Sequence, residues 1–279
     1  MTSTNRHEGN INSVGEQTSI ASAEGCDLIA LPEAAGMMNR HKDEALKLTT
    51  TEKDDPFICA CRELAARFGI WIHVGSTPIQ AGGKLLNHSV LIDSSGAIRA
   101  RYDKIHLFDM FLDGRAFLES KRYAPGSEAI VVDTPWGPWG LTICYDIRFP
   151  GLYRDYASCG ARIMFVPSAF TVTTGKLHWR PLLRARAIEN GSWIVAAAQV
   201  GKHDDGRITH GHSLIVSPWG KVVADLGDAG SRFEIVDLDL SLVESSRQQL
   251  PSLQHDRPYR LVHCDEPLTG AFGEPTRAT

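Results

Sequence analysis

Three apolar segments of this 279-residue chain each stop at a reactive side chain: DLIALPE at Glu33, AIRARYDK at Lys104 and WGLTIC at Cys144. A free thiol has a pKa of about 8.5, so it needs a base or a nearby positive charge to act as a nucleophile at neutral pH. A carboxylate can take the proton, and a lysine can stabilise a thiolate or a developing oxyanion. The trio suits nucleophilic attack on a carbonyl. The bland reading makes Glu33 a strand-end acid, Lys104 half of a surface salt bridge and Cys144 a core residue. The cysteines are Cys26, Cys59, Cys61, Cys144, Cys159 and Cys264. No pair has the C-x-x-C spacing of zinc or redox sites, and an arbitrary cysteine is usually a small buried hydrophobe.

Such chemistry needs strands that end side by side, and α/β sheets gather functional groups at the carboxyl ends of their strands. Strand-like and helix-like segments alternate along the chain. Residues 10–24 read as a helix, followed by a short apolar strand ending at Pro32. Asp55 and Pro56 suit the cap and first position of a helix. Ile58, Cys61, Leu64, Ala65 and Phe68 form its apolar face, and Gly69 stops it. IWIHVGS and HSVLIDSSGAIRARYDK read as strands, the second pair turning at Ser94-Ser95-Gly96. Residues 105 to about 126 read as a loop. AIVVDTPWGPWGLTIC and HSLIVSPWGKVVADL read as hairpins that share a Pro-Trp-Gly turn. Helices are expected near 150–159 and 176–190, with the strand ARIMFVP between them and SWIVAAAQ after them. This predicts an α/β fold with a sheet covered by helices, one domain over residues 1–245, and a partly extended or disordered tail over 246–279.

Composition narrows the function. Net charge is −4, with 43% hydrophobic and 22% charged residues. That gives no basic field for nucleic acid. No apolar run approaches the ~18 residues of a membrane span, and the polar start MTSTNRHEGNINSVGEQ lacks a signal-peptide core. The expectation is a cytoplasmic protein that binds neither nucleic acid nor membrane. His178, His203, His210 and His212 raise the question of a metal. The H-x-H at His210 and His212 has no cysteine or carboxylate at usual ligand spacing, so no metal site is expected. Trp179 and Trp193 read as packing residues. Arg148 reads either as an ion-pair partner of Asp146 or Glu189, or as a clamp on a substrate carboxylate.

LIALPE, RYDKIHLFD and GLTICYDIRFP together resemble the three signature segments of the carbon–nitrogen hydrolase (nitrilase) superfamily. The likeness continues through PSAFTVTTGKLHWRPLLRARAIENGSWIVAAAQVGKH and GHSLIVSPWGKVVAD, covering about residues 2 to 260. It implies a four-layer α-β-β-α sandwich that assembles as a homodimer or larger homo-oligomer, with no metal or organic cofactor. It implies a catalytic set of Glu33, Lys104 and Cys144, with a further glutamate at Glu119 in FLESK, which otherwise reads as a solvated loop charge. It implies an oxyanion site at the Tyr145 backbone N–H, and favours the clamp role for Arg148 on a carboxylate-bearing amide.

True nitrilases usually follow the cysteine with Trp-Glu. Tyr145-Asp146 here is the pattern of amidase-like branches, and the chain most resembles the deaminated glutathione amidases. The alternatives are an omega-amidase acting on 2-oxoglutaramate or 2-oxosuccinamate, an N-carbamoyl amidohydrolase, a thiol redox sensor, or a catalytically silent binding or scaffold protein of the same fold. Family members also open with a short apolar strand before a polar stretch like TSTN. The fold is therefore expected to lack the usual first strand, with Met1 an internal methionine or a misassigned start.

Overall fold

The computed structural model describes residues 1–112, 115–230, 233–261 and 263. Helix α1 (His7–Ala23) leads into strand β1 (Leu28–Ala30), which ends just before Pro32. Helices α2 (Lys42–Leu48) and α3 (Pro56–Phe68) follow. The bounds of α3 are those the sequence predicts. Asp55 Oδ1 accepts from the Phe57 and Ile58 N–H groups, and Gly69 ends the helix at φ 66°. Strands β2 (Trp71–Ala81), β3 (Lys84–Ile92) and β4 (Ile98–Asp103) complete a first sheet in the order β1-β2-β3-β4, with only β1 and β2 parallel.

The stretch after residue 105, expected to be loop, contains a hairpin of β5 (Asp109–Leu112) and β6 (Arg115–Leu118), then a 3-10 turn, Glu119–Lys121. This ribbon escapes pattern reading because it contributes no face to the core; Phe111 is 77% exposed.

The second sheet holds β7 (Ile130–Thr134), β8 (Gly137–Leu141), β9 (Ile163–Phe165), β10 (Trp193–Ala196), β13 (Leu214–Val216) and β14 (Val222–Asp225), in the order β14-β13-β10-β9-β8-β7. A separate hairpin pairs β11 (Val200–Lys202) with β12 (Ile208–His210). Helices α4 (Pro150–Ser158), α5 (Arg180–Asn190) and α6 (Ser241–Gln249) complete the fold. The helix expected from residue 176 begins at Arg180, after a π-helical turn at Gly175–Trp179. Pro181 has no N–H to donate backwards, so the regular ladder starts beyond it.

The two sheets face each other. Trp71, Leu91, Ala100 and Tyr102 of the first share a buried cluster with Trp139, Leu141, Ile163 and Phe165 of the second. Helices cover the outer faces: Val14, Phe57, Ile58, Cys61 and Ala65 pack on Ile72, Val74, Val90 and Ile92, while Tyr153, Tyr156, Leu183 and Ala187 close the far side. The result is the four-layer α-β-β-α arrangement. A Cβ on Gly75 would lie 2.0 Å from the Leu31 carbonyl oxygen and 2.6 Å from Pro167 Cβ. Only glycine lets β2 run this close to the segment carrying Glu33.

Among the described residues no strand precedes α1, and β1 is an edge strand. A groove of about 330 Å³ runs along this edge, lined by Met1, Leu28, Ala30, Phe233 and Ile235 among others, and holds none of the three reactive residues. The expected domain boundary at residue 245 falls inside α6, whose Arg247 donates to the Ala161 and Asn190 carbonyls. Residues 262 and 264–279 of the expected tail, with Cys264, lie outside the described residues. Among the described residues, no helix is long and apolar enough to cross a membrane.

Candidate active site

Cys144 stands three residues past the end of β8, where the chain turns sharply into a 3-10 turn, Cys144–Arg148. Its N–H donates to the Pro167 carbonyl at 2.9 Å, and its φ is +51°. Ala34, directly after Glu33, has φ +55°. A left-handed backbone costs a non-glycine residue on the order of 1 kcal/mol or more and persists only where the surroundings impose it. The surroundings are visible at both places. Ser76 Oγ accepts from the Ala34 N–H at 2.8 Å, and Gln199 Nε2 donates to the Glu33 carbonyl at 2.9 Å. At the cysteine, the fully buried Asp146 carboxylate accepts from the Ile143 N–H at 2.8 Å, the His106 N–H at 3.0 Å and the Tyr102 hydroxyl at 2.7 Å. His106 Nδ1 lies 2.7 Å from the same carboxylate. Asp146 thus ties the cysteine turn to the strand that delivers Lys104.

Glu33, Lys104 and Cys144 are all buried and adjacent. Lys104 Nζ donates to Glu33 Oε1 at 2.9 Å and to Glu119 Oε2 at 2.9 Å. Asn87 Nδ2 reaches both carboxylates, at 2.9 Å from Glu33 and 3.1 Å from Glu119. The Phe108 N–H holds Glu119 Oε2 at 2.6 Å. The Glu33 carboxylate and the Ala169 backbone N–H both act on the Cys144 thiol. The Tyr145 N–H lies in the first turn of its short helix, where an intrahelical acceptor is not available.

The electrostatics assign protons. Burial alone would raise the Glu33 carboxyl, but the Lys104 charge and the hydrogen bonds from Cys144, Lys104 and Asn87 bring it below its ordinary 4.5. Burial opposes the Lys104 ammonium, yet the charges of Glu119 and Glu33 hold its pKa well above 10.5. Burial first, and the Glu33 charge second, push the Cys144 thiol well above 9.0, against the pull of Lys104 and the Ala169 N–H. At neutral pH the set is an ammonium, an ionised carboxylate and a neutral thiol.

These side chains open onto a cavity of about 440 Å³ whose walls include Glu33, Lys104, Glu119, Cys144, Tyr145 and Arg148. Every residue singled out for the site from sequence therefore meets in one place. Arg148 does not pair with Asp146, which is occupied as above, or with Glu189, which binds Arg186 at 2.8 Å. Its guanidinium instead meets His178 Nδ1 at 3.1 Å and sits over the Tyr145 and Phe170 rings. Arg40, Arg122 and Arg207 also line the cavity. Among the described residues no group of three His, Cys, Asp or Glu side chains is placed to hold a metal ion.

Sequence reasoning missed Asn87, Tyr102 and the role of Asp146. Asn87 was detectable as a polar side chain in an apolar strand: its carbonyl accepts from the Lys104 N–H at 3.0 Å, which makes it the lysine's cross-strand neighbour. Asp146 gives no sequence signal beyond its nearness to Cys144.

The family model for carbon–nitrogen hydrolases matches residues 1–248. A deaminated glutathione amidase from Yersinia enterocolitica is 43% identical over 244 residues, spanning 84% of this chain and 82% of that protein. The crystal structure of the Caenorhabditis elegans NitFhit protein superposes with a TM-score of 0.84 at 39% identity, covering 92% of this chain and 63% of that one. A mutant amidase from Nesterenkonia sp. AN1, whose structure shows acrylamide added to its active site cysteine, matches with a TM-score of 0.74 at 25% identity, over 90% of this chain and 95% of the other.

Proposed function

The chain belongs to the carbon–nitrogen hydrolase family and is an enzyme of that class, and from this premise we propose that it hydrolyses the amide of deaminated glutathione through a Cys144 thioester. The observation that carries the reading is that Glu33, Lys104 and Cys144 are buried together on one cavity, with Lys104 Nζ 2.9 Å from Glu33 Oε1. The relatives named deaminated glutathione amidase supply the substrate.

Glu33 takes the thiol proton as sulfur attacks the amide carbonyl carbon, so no standing thiolate is needed. Negative charge then moves to the carbonyl oxygen, where the Lys104 ammonium and the Tyr145 N–H receive it. Glu33 passes its proton to the amide nitrogen, the C–N bond breaks and the amine leaves. A water gives a proton to Glu33 and its oxygen attacks the thioester; Glu33 returns a proton to sulfur as the carboxylic acid departs. Glu119 and Asn87 keep Lys104 and Glu33 in place through both halves. Arg148 receives the 2-oxo acid carboxylate of the acyl part.

The same reading makes the protein a cytoplasmic homodimer. Leu177, 68% exposed, and Trp219, 50% exposed, support an assembly surface. The deciding experiment offers the enzyme 2-oxoglutaryl-cysteinylglycine, 2-oxoglutaramate, an N-carbamoyl amino acid and a neutral amide, with released amine, ammonia and carboxylate measured separately and Cys144 examined by mass spectrometry. Preferred cleavage of the first with acyl mass on Cys144 is expected. Preference for the carbamoyl compound, or turnover without a Cys144 adduct, would overturn the reading.

A further inference from the structure

The cavity is more cationic than its chemistry requires. Four arginines and Lys104 line it against only two carboxylates, Glu33 and Glu119, which are already engaged by Lys104. This sits in a chain whose net charge is −4. The arginines fall into two groups by the partners that hold them. Arg148 belongs to the cysteine turn, with Tyr145, Phe170 and His178. Arg40, Arg122 and Arg207 belong to other loops that are tied together. Arg122 Nη1 and Nη2 both donate to the Asn39 carbonyl, at 3.2 and 3.3 Å, and Asp205 accepts from the Arg40 N–H at 3.0 Å and from Arg207 Nε at 2.7 Å.

Within this second group the charge is not balanced. The Asp205 carboxylate pairs with the Arg207 guanidinium and, among the described residues, otherwise accepts only backbone N–H groups. Among the described residues, the guanidinium groups of Arg122 and Arg40 form no ion pair with a carboxylate, and Asp205 meets Arg40 only at its backbone N–H. Arg122 Nε is buried with no acceptor, and its two terminal nitrogens share a single neutral oxygen. A partly buried guanidinium that lacks an anion is under-satisfied, and a carboxylate matches its planar fork in a way a carbonyl does not.

We propose that Arg122, with Arg40 and Arg207 beside it, is an anion subsite for a carboxylate carried on the leaving-amine side of the substrate, distinct from the Arg148 position. The inference rests on the proposed amidase reading and deepens it. A 2-oxoacyl-cysteinylglycine has one carboxylate on the acyl part and one at the far end of the amine. A simple 2-oxo acid amide that releases ammonia has only the first. Two separate guanidinium groups fit the first kind of substrate, and the second group selects for it.

The test compares 2-oxoglutaryl-cysteinylglycine with its glycinamide analogue, in which the terminal carboxylate is a neutral amide. Wild type is expected to favour the carboxylate form by about 10- to 100-fold in kcat/KM, the loss a charge-assisted hydrogen-bond pair entails. In Arg122→Gln the ratio is expected to fall to near one. A variant that is merely misfolded lowers both rates and keeps the wild-type ratio, which would overturn the subsite, as would a wild type that treats both tails alike. Absence of cleavage of either compound would overturn the amidase reading and the subsite with it, whereas cleavage insensitive to the tail would remove the subsite alone.

Discussion

The Tyr102 hydroxyl donates to the Asp146 carboxylate at 2.7 Å, with both side chains buried at the junction of the two sheets. Tyr102 lies two residues before Lys104, and Asp146 two after Cys144. This hydrogen bond, with those from His106 to the same carboxylate, links the segment that carries the ammonium to the turn that carries the sulfur. Tyr102→Phe leaves Asp146 three other donors and is expected to cost about 1–2 kcal/mol of stability. Asp146→Ala strands several buried donors at once, and a loss above about 3 kcal/mol is expected. Urea unfolding would measure both. Tyr102→Phe should also lower kcat more than it raises KM, and an unchanged kcat would separate this bond from catalysis.

Cys144→Ser and Glu33→Gln are expected to lower turnover by at least about 100-fold while the fold persists, because each removes a proton-transfer or bond-forming atom at little change in volume. Acrylamide should alkylate Cys144 in the wild type. Circular dichroism checks the fold, and peptide mass mapping the adduct. Adducts confined to the exposed Cys159 would place the reactive thiol elsewhere.

The directions of the three proton affinities give the pH profile. Glu33, depressed below 4.5, stays ionised until pH falls through its lowered value. Lys104, raised well above 10.5, and Cys144, raised well above 9.0, keep their protons far into base. kcat/KM should therefore be flat between about pH 5.5 and 9, with no rise near the ordinary thiol value of about 8.5. Stability follows the same signs. The Glu33 contribution is present above its unfolded pKa and lost as pH falls through the folded one; that of Lys104 is present below its unfolded pKa and lost as pH rises through the folded one. A stopped pH series of initial rates checks the plateau, and a limb near pH 8.5 would mean that a standing thiolate attacks.

Legibility of the site from sequence followed the kind of force that places each residue. Glu33, Lys104 and Cys144 end strands whose apolar runs are visible in one dimension, and α3 carries its cap, first-turn proline and terminal glycine in the open. Asn87 shows in sequence only as a polar residue in an apolar strand, and its contact to Glu33 across 54 positions, like that of Asp146 to Tyr102 across 44, is not written in a single sequence. The β5–β6 hairpin was hidden because it stands away from the core, so neither alternation nor burial marks it.

Asn87 offers a sharper test of the network than removal of a reacting group. Its amide donates to Glu33 and to Glu119, and its bond to Glu33 helps to lower that carboxyl. Asn87→Ala removes the donor, so the Glu33 pKa should move upward and the acidic limb of kcat/KM should shift to higher pH, with a loss of about 1–3 kcal/mol in stability. A limb that stays in place while stability falls would mean that Asn87 supports only the fold.

Arg148 has lost both structural partners it was allowed from sequence, since Asp146 is taken by Tyr102, His106 and the Ile143 N–H and Glu189 by Arg186. What remains is His178 and two aromatic faces, an arrangement that steadies the guanidinium without neutralising it. On the proposed reading, a carboxylate on the acyl part of the substrate would complete that environment. Arg148→Ala is expected to raise KM for 2-oxo acid amides by about 10- to 100-fold, the loss of a charge-assisted hydrogen-bond pair, and to change KM for a neutral amide of similar length by less than about threefold. Because the same turn carries Cys144, kcat for the neutral amide serves as the control on its geometry. Equal losses on acidic and neutral amides would show that Arg148 holds the turn rather than the substrate.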